Sequence, residues 1–227
     1  MTLEISVLDV LPEPFAAVPT LIFRLRVTDD GAVPVSAIAL RAQIQIQPQR
    51  RQYTDDEAAL LTDQFGGRQR WRDTLRPFLW THASTMVRGF TGDLEFDLPV
   101  PCTYDLEVTG TPYLHALRQG EIPLELLFSG TAFRPAGSSG GLGVEQIPWH
   151  LQATHQLPVA VWRALMDRFF PHAAWLRLDR DTVDALIRYR TERGLISSDA
   201  AVLQLLDGAS AEAAAAGPTV GAAEAAR

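Results

Sequence analysis

The sequence predicts a mainly β, α+β protein: an antiparallel β-sandwich, immunoglobulin-like or related, with a helical insertion and a C-terminal helical annex. Three observations carry this reading. Short runs alternate apolar and polar residues with period two, the pattern of half-buried strands. Strand-like runs fill the first two thirds of the chain and helical periodicity fills the last. The two do not alternate, which argues against a doubly wound α/β fold. Six to eight such strands suit a sandwich.

Taken in order, Leu3, Ile5 and Val7 alternate with polar residues until Pro12 and Pro14. Leu21, Phe23, Leu25 and Val27 form a second run, closed by the turn-forming Asp29-Asp30-Gly31. Ile38, Leu40, Ala42, Ile44 and Ile46 alternate most cleanly, and Pro48 ends them. Thr54 followed by Glu57 has capping-box spacing. It opens a helix along Ala58, Leu60, Leu61 and Phe65 that Gly66-Gly67 stops. The arginine-rich stretch Arg68–Arg76 completes an insertion near 54–76.

Strands resume at Leu94, Phe96 and Leu98, then at Tyr104, Leu106 and Val108, and then along Ile122–Phe133. A Gly/Ser loop spans Gly137–Gly143, and Val144–Trp149 is a candidate final strand. Trp162, Leu165, Met166 and Phe169 follow the i, i+3, i+4, i+7 spacing of a buried helical stripe after Pro158. A second helix is expected with Val183, Leu186 and Ile187 inward, and a short third one at Ala200–Leu206. The expected organisation is therefore a sandwich over 1–157, an annex packed on it over 158–206, and a disordered Ala-rich tail over 207–227.

Composition excludes several chemistries. The chain has 227 residues and 47% hydrophobic residues, enough for a sizeable core. All 20 basic residues are arginine, so lysine Schiff bases and Walker-type phosphate lysines are ruled out. The net charge of −7 disfavours general nucleic-acid binding. No apolar run approaches the ~18 residues of a membrane span. Met1–Val10 carries Glu4 and Asp9 and no basic region, so it does not read as a signal peptide. A single cysteine, Cys102, fits a cytoplasmic location and reads as a structural thiol.

Gly137–Gly141 matches G-x-S-x-G by letter, with Ser139 at its centre. That motif works on a strand-to-helix turn of an α/β sheet, and here it reads as a loop. His82, His115, His150, His155 and His172 show no metal-ligand spacing. No catalytic residue, metal site or cofactor is expected.

The charge pattern supplies the candidate binding residues. Seven carboxylates lie between Gly89 and Leu126, including Asp93, Glu95, Asp97, Asp105 and Glu107, against Arg118 alone. If their strands are neighbours in one sheet, these acids share its outer surface and repel one another. Water and salt, a basic partner or the arginine insertion are the candidate answers to that repulsion. The leading reading is a non-enzymatic interaction or accessory protein that docks another protein through this acidic face. The alternative is an enzyme or small-ligand binder with a pocket of Trp149, His150 and Trp162 where sandwich and annex meet. A third reading is a structural oligomer subunit.

Two stretches carry a resemblance: Ile122–Phe133, and Ile147-Pro-Trp-His150 through Leu157–Pro171 to Trp175–Leu178. Together they resemble an uncharacterised bacterial family, a domain of unknown function, whose members are encoded near NiFe uptake hydrogenase genes. The resemblance implies an accessory or assembly role with a hydrogenase-related partner. It transfers no catalytic residue.

Overall fold

The computed structural model describes residues 3–104, 110–136, 141–171, 173 and 176–215. The fold is α+β and mainly β, with every strand pair antiparallel. Three strands, β1 (Leu3–Pro12), β2 (Thr20–Asp29) and β5 (Gly92–Pro101), form one sheet in the order β1-β2-β5. The other sheet holds β3 (Val35–Ile46), β4 (Phe78–Phe90), β6 (Glu121–Ala136), β7 (Gly141–Gln146) and β8 (Gln152–Pro158). Its order is β4-β3-β6-β7, and β8 also pairs with β6.

Alternation decides what each sheet buries. Phe23, Leu25 and Val27 of β2 point inward, as do Ile38, Leu40, Ile44 and Ile46 of β3, all within 2% of full burial. They join one core with Leu98, Leu124 and Leu126. Each large apolar side chain buried this way contributes about 1.5–3 kcal/mol. Arg134 of β6 donates to the Asp29 carboxylate of β2 at 2.9 Å and ties the two sheets at their rim.

β6 is the organising strand. Its first half, Glu121–Leu127, pairs with β8, and its second half, Thr131–Ala136, pairs with β7. β3 occupies the other edge of β6, so β7 and β8 share one edge and their connection runs alongside β6 between these halves.

Short helices fill the space between β3 and β4. The capping box forms as the sequence predicts: Thr54 accepts from the Glu57 amide and Glu57 accepts from the Thr54 amide. The helix comes in two pieces, α1 (Asp55–Leu60) and α2 (Thr62–Phe65), followed by a 3₁₀ turn and α3 (Trp71–Thr74). Three elements, β4, α4 (Gly110–Ala116) and β8, had no sequence forecast. β4 lacks a clean apolar alternation, because its inward positions include small Ala83 while Met86 is exposed. Helix α4 (Gly110–Ala116) is a single seven-residue piece. The expected strand at Leu106 and Val108, and the Ser139 motif, lie outside the described residues. The final strand is β8, not Val144–Trp149, because Pro148 lacks an amide to donate and the chain turns there.

The chain divides into two compact units, Met1–Leu176 and Arg177–Arg227. Helix α5 (Val159–Phe169), expected in the annex, belongs to the first unit. Its Trp162, Leu165 and Met166 are buried in the common core, as their spacing predicts. The second unit pairs α6 (Arg180–Glu192) with α7 (Ser198–Ala215). No residue of α6 is buried, so Val183, Leu186 and Ile187 are not inward as expected. Within the second unit Ala201 of α7 is fully buried, whereas Val183 and Ile187 stay exposed. α7 continues to Ala215, into the stretch expected as tail, because alanine is the best helix former.

Candidate functional site

The acidic strand runs are distributed over both sheets. Asp93, Glu95 and Asp97 lie on the outer face of β5, which pairs with β2 and never with β6. Glu121 and Glu125 lie on β6, in the other sheet. Asp105 and Glu107 lie outside the described residues. The expectation of one shared acidic surface therefore fails for Glu121 and Glu125.

The outer face of the three-stranded sheet is a charge ladder. Asp9, Arg24 and Asp97 form one row across β1, β2 and β5, and Ser6, Arg26 and Glu95 form the next. Arg24 Nε donates to Asp97 Oδ1 at 3.1 Å, and Arg26 donates to Glu95. These bonds hold both guanidiniums still more firmly protonated than usual. Repulsion among the acids is thus answered from within the chain. The third row, Glu4, Thr28 and Asp93, has two carboxylates and no cation.

A second feature adjoins this face. The connection from β7 to β8 is a tight turn held by backbone bonds. The Ile147 amide donates to Gly130 O at 3.0 Å, the Leu151 amide to Pro148 O at 3.1 Å, and the Phe128 amide to Leu151 O at 2.9 Å. Trp149 stands at the tip, 92% exposed, edge-on to the His150 ring at 5.7 Å. A groove of about 420 Å³ runs beside it. Leu3, Glu4 and Ile5 form one wall, and Pro148, His150 and Leu151 belong to the other.

The expected pocket of Trp149, His150 and Trp162 does not assemble. Trp162 is 1% exposed and packs edge-on against Tyr104 at 5.6 Å inside the core. Its place on the apolar stripe of α5 sends it inward, while Trp149 points to solvent.

A third cluster is internal. Arg51 and Glu57, 8% and 1% exposed, form an ion pair at 3.1 Å. Arg51 also donates to the carbonyls of Gln119 and Glu121, and Glu57 accepts from the Arg118 amide at 2.8 Å. Burial pushes the Glu57 carboxyl up, but the Arg118 and Thr54 amides and the Arg51 charge outweigh it and hold it below the usual range. Nearby, Tyr53 donates to Pro48 O at 2.7 Å and accepts from Tyr113 at 2.8 Å. Burial pushes Tyr53 up to about 12 and drives Tyr113 higher still. A cleft of about 470 Å³ opens beside the pair. Its buried charges are already satisfied, so the cluster works as a lock between the helical insertion and the start of β6.

A family model described as a family of unknown function (DUF6084) matches residues 1–214. The chain belongs to this family. The DUF6084 match spans both quoted stretches of the resemblance and agrees with an uncharacterised family. No curated protein matches the chain. Among solved structures, one similar chain is the solution structure of a protein assigned to the late embryogenesis abundant class. It is 14% identical, with a TM-score of 0.33, over 69% of this chain and 71% of that one. Another is a β-glucosidase from Kluyveromyces marxianus, 10% identical, with a TM-score of 0.23, over 69% of this chain and 15% of that one. Scores this low establish neither a shared fold nor a shared function.

The remaining reactive groups in this DUF6084 chain are quiet. Among the described residues, no three His, Cys, Asp or Glu side chains gather as metal ligands. No described helix is long and apolar enough to cross a membrane. His115 is bonded to the Tyr104 hydroxyl at 2.9 Å, and burial first, then Arg118 and Arg163, lowers its pKa. Burial pushes the Cys102 thiol up to about 12. At pH 8 that leaves roughly a thousandfold less thiolate than in an unfolded chain. Cys102 should therefore react with an aromatic disulfide reagent only slowly when native and at once in urea. Rapid native reaction would show an accessible thiol.

Proposed function

We propose that this chain is a non-enzymatic accessory protein of the cytoplasm that holds a partner protein. The contact surface is the outer face of the three-stranded sheet, with Asp93, Glu95 and Asp97, together with the Trp149–His150 turn. The observation that carries this reading is Trp149, 92% exposed on a turn whose backbone is fixed to β6. A rigid, exposed indole loses little freedom on binding and buries a large area, which is the character of an interface anchor. Charged residues around it act as a rim that steers encounter. The resemblance to proteins encoded beside NiFe uptake hydrogenase genes makes an assembly factor of such an enzyme the first partner to try.

The tagged chain should bring down a specific protein at low salt and less of it at high salt. With that partner purified, Trp149→Ala should weaken binding at least tenfold, roughly 1.4 kcal/mol or more. Asp93→Lys should slow association. Neither change touches the core, so both variants should melt like the parent. A partner that binds both variants as tightly as the parent would remove this surface from the interface.

A further inference from the structure

We infer that two copies of this chain join through β7, edge to edge and antiparallel, so that their five-stranded sheets become one. This goes beyond the reading above and uses a different strand.

Among the described residues, β7 is the terminal strand whose second side is open. The others have neighbours: β1 runs beside β8 and packs on α5, and β4 adjoins β5. No described strand or helix runs along the far side of β7. Its free backbone groups follow from the ladder. The Ile147 amide donates to Gly130 O, and strand residues face alternate sides. Gly141, Gly143 and Glu145 therefore spend their amides and carbonyls on β6, whereas Leu142, Val144 and Gln146 turn theirs outward. No described residue bonds to these three outward-facing backbone groups.

Open edges are usually guarded by charge, proline or a bulge. The register of β7 with β6 runs without a shift, and the strand holds no proline or basic residue. Its one charge, Glu145, is tied to Arg134 at 3.3 Å. Leu142 and Val144 stand 65% and 66% exposed. Such an edge is a template for another strand.

The strand is its own complement. Centred on Val144, an antiparallel second copy sets Leu142 against Gln146 of the other copy and Val144 against its own counterpart. All three outward-facing residues then exchange backbone bonds, two for each pair. Centring on Gly143 instead would leave Gln146 unpaired. Side chains agree with the Val144 register. Val144 lies opposite Phe133 of β6, and Phe133 lies opposite Ala37 of β3. Joining the copies at Val144 makes one unbroken apolar row of Ala37, Phe133 and Val144 from each chain. On the other face Glu145 falls opposite Gly143 of the second copy, so no two carboxylates meet directly. Arg134 lies opposite Gly143 within each chain. With no side chain at Gly143, Arg134 of one copy can reach toward Glu145 of the other.

Sedimentation velocity on the full chain, from about 1 to about 100 µM, should show a shift from one chain mass to two. Hydrogen exchange at Leu142, Val144 and Gln146 should slow as the dimer fills. Val144→Lys brings two ammonium groups together at the axis, and Val144→Glu brings two carboxylates. Each variant alone should lose at least tenfold in dimer affinity. Val144 is exposed, so both should melt like the dilute parent. An equimolar mixture of the two variants should dimerise again, because position 144 meets itself. Four results would overturn the inference. The parent could stay monomeric throughout, either variant could dimerise like the parent, or the mixture could stay monomeric. Lastly, the three amides could already be protected in the monomer, which would show that a segment of the same chain covers β7.

Discussion

Gly130→Ala should leave little or no folded protein. Gly130 sits in the middle of β6, opposite Leu40 of β3, with φ at 144°. A Cβ placed there would lie 2.0 Å from the Ala39 carbonyl oxygen, which belongs to the backbone of the adjoining strand. That oxygen cannot swing away as a side chain would. Relief requires β3 and β6 to part at the centre of the five-stranded sheet, where Leu40, Ala42 and Phe128 are packed. The Gly130 carbonyl also receives the Ile147 amide that anchors the Trp149 turn. The expected loss is about 4 kcal/mol or more, a large share of the stability of a typical domain. Gly92→Ala is the control. Gly92 also has positive φ, at 78°, but a Cβ there meets nothing within 4 Å, so the cost should stay near ~1 kcal/mol. Urea titration of the two variants decides the matter. Similar midpoints would show that the close approach at Gly130 relaxes freely.

The contrast between these glycines shows which features are local enough to read from a sequence. β2, β3, the Thr54 capping box and the α5 stripe are visible because each is a pattern within a dozen residues. Gly130 looks like any strand glycine until β3 is laid beside it. The same holds for charge. Arg24 and Arg26 lie some seventy residues before Asp97 and Glu95, and antiparallel register alone brings them opposite. Counting charge between Gly89 and Leu126 therefore finds an acidic run where the folded sheet has a ladder with one uncompensated end. Trp149 and Trp162 divide for a similar reason. The helical stripe marks Trp162 as buried, whereas the exposure of Trp149 depends on how the turn is fixed along the edge of β6. Asp93, Glu95 and Asp97 were legible as outward-facing, since they alternate with Leu94, Phe96 and Leu98.

Glu57→Gln should cost about 3 kcal/mol at neutral pH, because it leaves the buried Arg51 charge without its counterion. The amide has roughly the shape of the carboxylate but not its charge. It cannot match Arg51 and also receive the Thr54 and Arg118 amides as strongly. The same carboxylate predicts a pH dependence. Its pKa is lowered in the folded chain, while an unfolded glutamate titrates near ~4.3. The folded state therefore binds its proton less readily. The stabilisation is fully present above the unfolded value and is lost as pH falls through the lower, folded one. Stability of the parent should drop on acidification below about 4.3, with other carboxylates adding to the slope. The Glu57→Gln chain lacks this contribution, so the gap between the two should be widest near pH 7 and narrow toward pH 3. Urea midpoints measured at both pH values test this. A gap independent of pH would mean that Glu57 acts by shape alone and that the Arg51–Glu57 charge pair is not what holds the insertion to β6.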